Sequence, residues 1–151
     1  MSVLFLDTSA LAKIYVYEEG SDPIRRRSGA AEVVASSLLA WPECLAMLAR
    51  RKREGLLSEG ERAALHAQFT EDFADLLVVD LDARVLEIVE RLVSNHPLRG
   101  ADAVHLASAL LLVEAGLSVE FACCDRALLA AARAERLPAF DPGAAVAGRP
   151  D

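Results

Sequence analysis

At 151 residues the chain is long enough for one domain that buries roughly 68–70% of its extended-chain surface, so a core needs neither disulfides nor a structural metal. Hydrophobic residues make up 54% and mean hydropathy is +0.27, yet charge interrupts each apolar run well short of the ~20 residues that span a bilayer, which excludes a membrane protein. A net charge of −7 ordinarily disfavours a polyanionic partner, but the cations cluster at Arg25-Arg26-Arg27 and Arg50-Arg51-Lys52-Arg53, which permits local phosphate contact.

The N-terminus has no basic segment and meets Asp7 almost at once, so it does not read as a signal peptide and a cytoplasmic location is expected. Three cysteines, with Cys123 and Cys124 adjacent and no C-x-x-C spacing, predict reduced, buried thiols.

In chain order, Val3-Leu4-Phe5-Leu6 is a continuous apolar run, the pattern of a strand buried on both faces of a parallel sheet, and Asp7 ends it. Thr8 and Ser9 offer capping hydroxyls to a helix through Leu11–Tyr15 that stops near Gly20, and Asp22-Pro23 starts another over the arginines. A second strand fits Glu32–Ser36, followed by a helical stretch to Gly55. Within that stretch Pro42 either occupies the first turn of a helix starting near Trp41 or kinks one begun at Ser37.

Ser58 and Glu61 form a capping box that opens a helix to about Ala74, and Leu76–Val79 makes a third strand. Asp82 caps a helix with an apolar stripe of Val85, Leu86, Ile88, Val89, Leu92 and Val93, ending before Pro97. The next helix, from about Ala101 to Glu114, is apolar nearly all round and belongs in the middle of the molecule. Val119–Cys124 reads as the fourth strand, Asp125 starts a helix through Leu128, Leu129 and Ala132, and the segment from Pro138 onward is expected to be loose, above all 142–151. No repeat or linker interrupts this, so residues 1–151 read as a single domain.

Strands alternating with helices imply an α/β fold of three layers, α/β/α, around a central, mostly parallel sheet of four to five strands. Ligands of such sheets bind outside the carboxyl ends of the strands, where Asp7 and Asp125 fall. Asp102 opens the apolar helix and Glu43 lies in the first or second turn of its own. Each acid alone is an acceptable cap or first-turn residue. Four meeting in one place would repel one another unless a cation neutralised them, and oxygen donors without a matching His or Cys set select Mg2+, with Mn2+ as the alternative. His105 reads as an interior histidine that such a site does not need, and Ser9 as a cap or a holder of water or phosphate oxygen.

Four segments, Phe5-Leu6-Asp7-Thr8-Ser9, Trp41-Pro42-Glu43, Gly100-Ala101-Asp102-Ala103-Val104-His105 and Cys124-Asp125-Arg126, together resemble the ordered signatures of the PIN-domain nucleases, and in length and wording the VapC-type toxins of toxin–antitoxin pairs. The resemblance covers nearly the whole chain. It implies a Mg2+-dependent endoribonuclease with Asp7, Glu43, Asp102 and Asp125 as catalytic, metal-holding acids and Ser9 as an auxiliary hydroxyl. It also implies an RNA substrate, a homodimer and a cognate VapB-like antitoxin, for which an apolar surface around Leu38, Leu39, Trp41 and Leu45 would be suited. Pro42 directly before Glu43, and Cys124 where many members carry Thr or Ser, depart from the pattern.

Two other classes compete. A receiver-type phosphoacceptor also gathers acids at a sheet edge but needs a late Lys, and here no Lys follows Lys52. A free-standing PIN nuclease without an antitoxin, or a catalytically silent PIN-like binding module, would keep the fold; the silent module would lose acids, and all four are present.

Overall fold

The computed structural model describes residues 1–144. Their strands, β1 (Ser2–Leu6), β2 (Val33–Ser37), β3 (Leu77–Val79), β4 (Ser118–Ala122) and β5 (Ala139–Phe140), pair in parallel throughout, in the order β3-β2-β1-β4-β5. The helices are α1 (Thr8–Tyr15), α2 (Ser21–Ala30), α3 (Ala40–Arg53), α4 (Glu59–Asp75), α5 (Ala83–Asn95), α6 (Gly100–Glu114) and α7 (Arg126–Ala134).

Side chains alternate across a strand, so β1 feeds two cores. Val3 and Phe5 pack with α5, α6 and α7, while Leu4 and Leu6 pack with α1, α2, α3 and α4. This is the expected three-layer α/β/α arrangement, with a sheet parallel throughout instead of mostly so. Every residue of α6 from Ala103 to Leu110 is buried, as its all-round apolar sequence requires. The stripe on α5 is wider than its contact: Val85, Ile88 and Leu92 are buried, whereas Leu86 and Val93 remain exposed. Among the described residues no helix is long and apolar enough to cross a membrane.

Local chemistry sets the boundaries. Asp7, Asp82 and Asp125 cap α1, α5 and α7 through side-chain oxygens, and Ser58 with Glu61 completes the capping box of α4. Helix α3 begins at Ala40, which puts Pro42 in the first turn, where its missing N–H has no helical partner to lose; the alternative of a kinked helix from Ser37 is not adopted. Strand β4 ends two residues earlier than the apolar run, because the chain turns after Ala122 to place Cys124 against α1.

Two expectations are corrected. The segment after Pro138 is not loose at its start: Phe121 N–H donates to Pro138 O at 2.8 Å and Cys123 N–H to Phe140 O at 3.2 Å, which adds β5 to the sheet. Pro142 is fully buried and sits against Gly20, whose φ of +88° and whose hypothetical Cβ, 3.0 Å from Gly143 N, both require glycine. The remainder of the expected loose tail, residues 145–151, lies outside the described residues. The apolar surface expected around Trp41 is partly covered, with Leu39, Trp41 and Leu45 half-buried. The Trp41 ring lies 5.3 Å from Phe69 and 5.2 Å from Phe73 of α4, and Leu45 packs with the same cluster, so only Leu38 stays exposed. Helix α4 folds back over α3 because both present apolar faces to each other.

Candidate functional site

Strand order reverses at β1, since its chain successor β2 lies on one side and β4 on the other. Crevices form at the carboxyl ends of such strands because the two flanking connections leave in opposite directions. Asp7 and Asp125 stand at those ends, and the crevice is a cleft of about 630 Å³ that Glu43 and Asp102 also line. The structure therefore brings all four predicted acids to one place, together with Ser9, Thr8 and His105.

Three of the four acids are held by one oxygen. Asp7, only 4% exposed, accepts at Oδ1 from Ala10 N–H at 2.9 Å and from the Ser9 hydroxyl at 2.7 Å. Burial pushes its carboxyl above the ordinary aspartate range, against the lowering effect of those two hydrogen bonds. Asp125 accepts at Oδ1 from Leu128 N–H at 2.9 Å as the cap of α7. Glu43 accepts at Oε1 from the Thr8 hydroxyl at 2.7 Å and pairs with His105 Nε2 at 2.7 Å. The His105 hydrogen bond holds its carboxyl below the ordinary glutamate range in spite of partial burial. Asp102, in the first turn of α6, has Oδ2 3.6 Å from Arg99 Nε.

Ser9 is committed on both sides. Its hydroxyl donates to Asp7 and accepts from Cys124 N–H at 3.2 Å, which ties the end of β1 to the end of β4. This is the structural consequence of Cys124: its backbone, not its side chain, serves the site. All three thiols are free, and burial pushes Cys44 up to about 12 and raises Cys123 and Cys124, so none is an activated nucleophile.

The cleft wall carries Lys13, Arg50, Arg51 and Arg99. Lys13 reaches Glu18 Oε1 at 3.2 Å and Arg51 reaches Glu18 Oε2 at 3.3 Å. Of the two basic runs, then, the one on α3 faces the acids. Arg25 instead donates to Ile14 O, and Arg27 pairs with Glu120 beneath the Phe140 ring, away from the cleft.

Among the described residues no group of three or more His, Cys, Asp and Glu side chains stands close enough to enclose one ion with the rotamers present. The donor chemistry nevertheless fits a hard divalent cation. Asp7, Glu43 and Asp125 each spend one oxygen on a protein donor, and among the described residues the other oxygen accepts no hydrogen bond. A nearly buried carboxylate that has a second acid, Asp102, raising its energy is also what a cation would relieve.

The sequence profile described as PIN domain matches residues 4–133. The chain belongs to the PIN-domain family. This PIN domain is 38% identical over 134 residues to a protein named ribonuclease VapC45 of Mycobacterium tuberculosis (strain CDC 1551 / Oshkosh), covering 89% of the chain and 92% of the relative. In fold it is similar to a chain of FitAcB from Neisseria gonorrhoeae, with a TM-score of 0.68 and 18% identity over 92% of this chain and 97% of that one. It is also similar to a chain of a toxin–antitoxin complex from Klebsiella pneumoniae, with a TM-score of 0.58 and 16% identity over 81% and 86%.

The four acids singled out in the sequence line one cleft, and His105 is interior as expected; the contacts that Thr8 and His105 make with Glu43 were not foreseen. The missed signal was spacing: His105 follows Asp102 by three residues, which on a helix puts both on one face, toward the same cleft.

Proposed function

We propose that this PIN domain is a divalent-metal-dependent endoribonuclease that acts as the toxin of a VapBC-type pair. The observation that carries the reading is the convergence of Asp7, Glu43, Asp102 and Asp125 on one cleft at the carboxyl ends of β1 and β4. The 38% identity to a protein named as a VapC ribonuclease supports the substrate class. Asp7, Glu43, Asp102 and Asp125 would hold Mg2+ or Mn2+, which at such a site makes water a better nucleophile and offsets charge on the scissile phosphate.

The chain supplies the rest. Lys13, Arg50, Arg51 and Arg99 line the cleft beside the acids, with Lys13 and Arg51 shared with Glu18 and Arg99 near Asp102, and these cations support phosphate contact in spite of a net charge of −7. The thiols are not activated, and the Ser9 hydroxyl is bonded to a carboxylate without a histidine beside it, so water and not a protein side chain attacks. A VapB-like antitoxin belongs to the same proposal, supported by the fold shared with the Klebsiella toxin–antitoxin chain, and a homodimer is proposed with it from the family resemblance alone.

Incubation of the protein with total RNA, with Mg2+ and with EDTA, tests the activity. Cleavage with Mg2+, lost with EDTA and lost in Asp7→Asn, is the expected result. A folded protein that binds RNA and leaves it intact under both conditions would instead be a silent binding module. A short reading frame directly upstream, encoding a DNA-binding protein, is expected for the toxin; without it the chain is a free-standing nuclease.

A further inference from the structure

His105 is 2% exposed on a helix whose neighbours Val104 and Leu106 are apolar, an expensive place for an imidazole unless its polar atoms are used. Its Nδ1 has no partner among the described residues, and its Nε2 faces two atoms only, Glu43 Oε1 at 2.7 Å and the Thr8 hydroxyl at 3.1 Å. These two contacts are the hydrogen bonds that the His105 ring makes among the described residues.

Glu43 needs such help. It lies just inside α3 with a side chain 34% exposed, and a glutamate left free there would give up rotamer freedom on adopting one aim. Thr8 and His105 both bond Oε1, so Oε2 alone is left to face the cleft. Each clamp residue also rides on an element that carries another acid: Thr8 follows Asp7, and His105 is one turn along α6 from Asp102. With Ser9 linking Asp7 to Cys124, beside Asp125, a chain of hydrogen bonds sets the acids from β1, α3 and β4 in fixed relation, and the α6 backbone brings in Asp102.

We infer that Thr8 and His105 are positioning residues that hold Glu43 by Oε1 and aim Oε2 at the divalent cation of the cleft. The inference rests on the metal-dependent reading above.

The test is Mn2+ binding to the full chain by titration calorimetry, independent of any RNA cleavage. His105→Leu and Thr8→Val each weaken Mn2+ binding by about 10-fold or more, the scale seen when a hydrogen-bond partner of a metal ligand is removed. His105→Gln, whose amide N–H lies where Nε2 does, restores most of the affinity. In a Glu43→Ala background His105→Leu causes no further loss, since its effect passes through Glu43. Should His105→Leu fail to fold, Thr8→Val, at the half-buried start of α1, carries the same prediction. Wild-type affinity in Thr8→Val and in a folded His105→Leu, or a loss that persists in full on Glu43→Ala, overturns the positioning role alone. Absence of Mn2+ binding by the wild-type protein overturns both this role and the metal-dependent reading.

Discussion

Asp7 illustrates the cost of assembling a charged site. Its carboxylate is nearly buried, and burial outweighs the two hydrogen bonds to one oxygen and the nearby His105 that favour its charge, with Asp102 adding a smaller repulsion. Asparagine keeps that accepting oxygen and removes the charge. Asp7→Asn is therefore expected to abolish metal-dependent cleavage and, in EDTA, to unfold at a higher denaturant concentration than wild type, by roughly 1 kcal/mol of stability. Equilibrium denaturation with and without chelator checks both halves; a metal-free variant less stable than wild type would contradict the account of strain.

A second carboxylate has the opposite balance. Burial alone would raise Glu135, but His96 at 2.9 Å and Arg91 at 2.9 and 3.0 Å outweigh it and hold the carboxyl below the ordinary glutamate range. A carboxylate whose folded-state pKa is depressed stabilises the fold above its unfolded-state pKa, and the contribution disappears as pH falls through the lowered folded value. Glu135→Gln should accordingly lower the melting temperature at pH 7, with the gap to wild type closing as the pH drops below the ordinary glutamate range. A gap that is independent of pH would show that packing and not charge is at stake.

Among the elements, β5 shows why a short strand escapes sequence reading. Two residues, Ala139 and Phe140, carry no periodicity, and their pairing depends on Phe121 and Cys123 offering N–H groups at the open edge of β4. The following turn packs against Gly20, far earlier in the chain. Gly20→Ala must both adopt a φ of +88° and fit a Cβ 3.0 Å from a backbone nitrogen, so it should cost about 1–3 kcal/mol in a urea titration. Loss of less than a few tenths of a kcal/mol would mean that the 141–144 segment does not pack there in solution.

At the scale of the whole molecule, an acidic protein sets Lys13, Arg50, Arg51 and Arg99 among the acids of one cleft. If these cations contact single-stranded RNA, log affinity plotted against log salt concentration should have a slope of about −2 to −3, and Arg50→Ala should reduce its magnitude by about 0.7. Fluorescence anisotropy with the inactive Asp7→Asn variant measures it; a slope unchanged by Arg50→Ala would move the phosphate path elsewhere. Mn2+ at 100 times its dissociation constant should stabilise the wild-type fold by about 2.7 kcal/mol, an increment that Asp7→Asn reduces.

The sequence by itself determined the layer order and the edge at which the site lies. The run Val3–Leu6 is buried on both faces because β1 lies in the middle of a parallel sheet, and the acid at its carboxyl end emerges where the strands open their crevice; the similar run Leu76–Val79, at the sheet edge, leaves Leu77 exposed. Tertiary structure alone decided which basic run lines the cleft, that Trp41 packs half-buried against Phe69 and Phe73, and which groups bond Glu43. The reason is range: periodicity and capping are properties of residues a few positions apart, whereas Thr8, Glu43 and His105 meet across separations of 35, 62 and 97 residues. Contacts of that kind exist only after two helical layers have closed on the sheet, and the Thr8 hydroxyl and the His105 imidazole take their function from them.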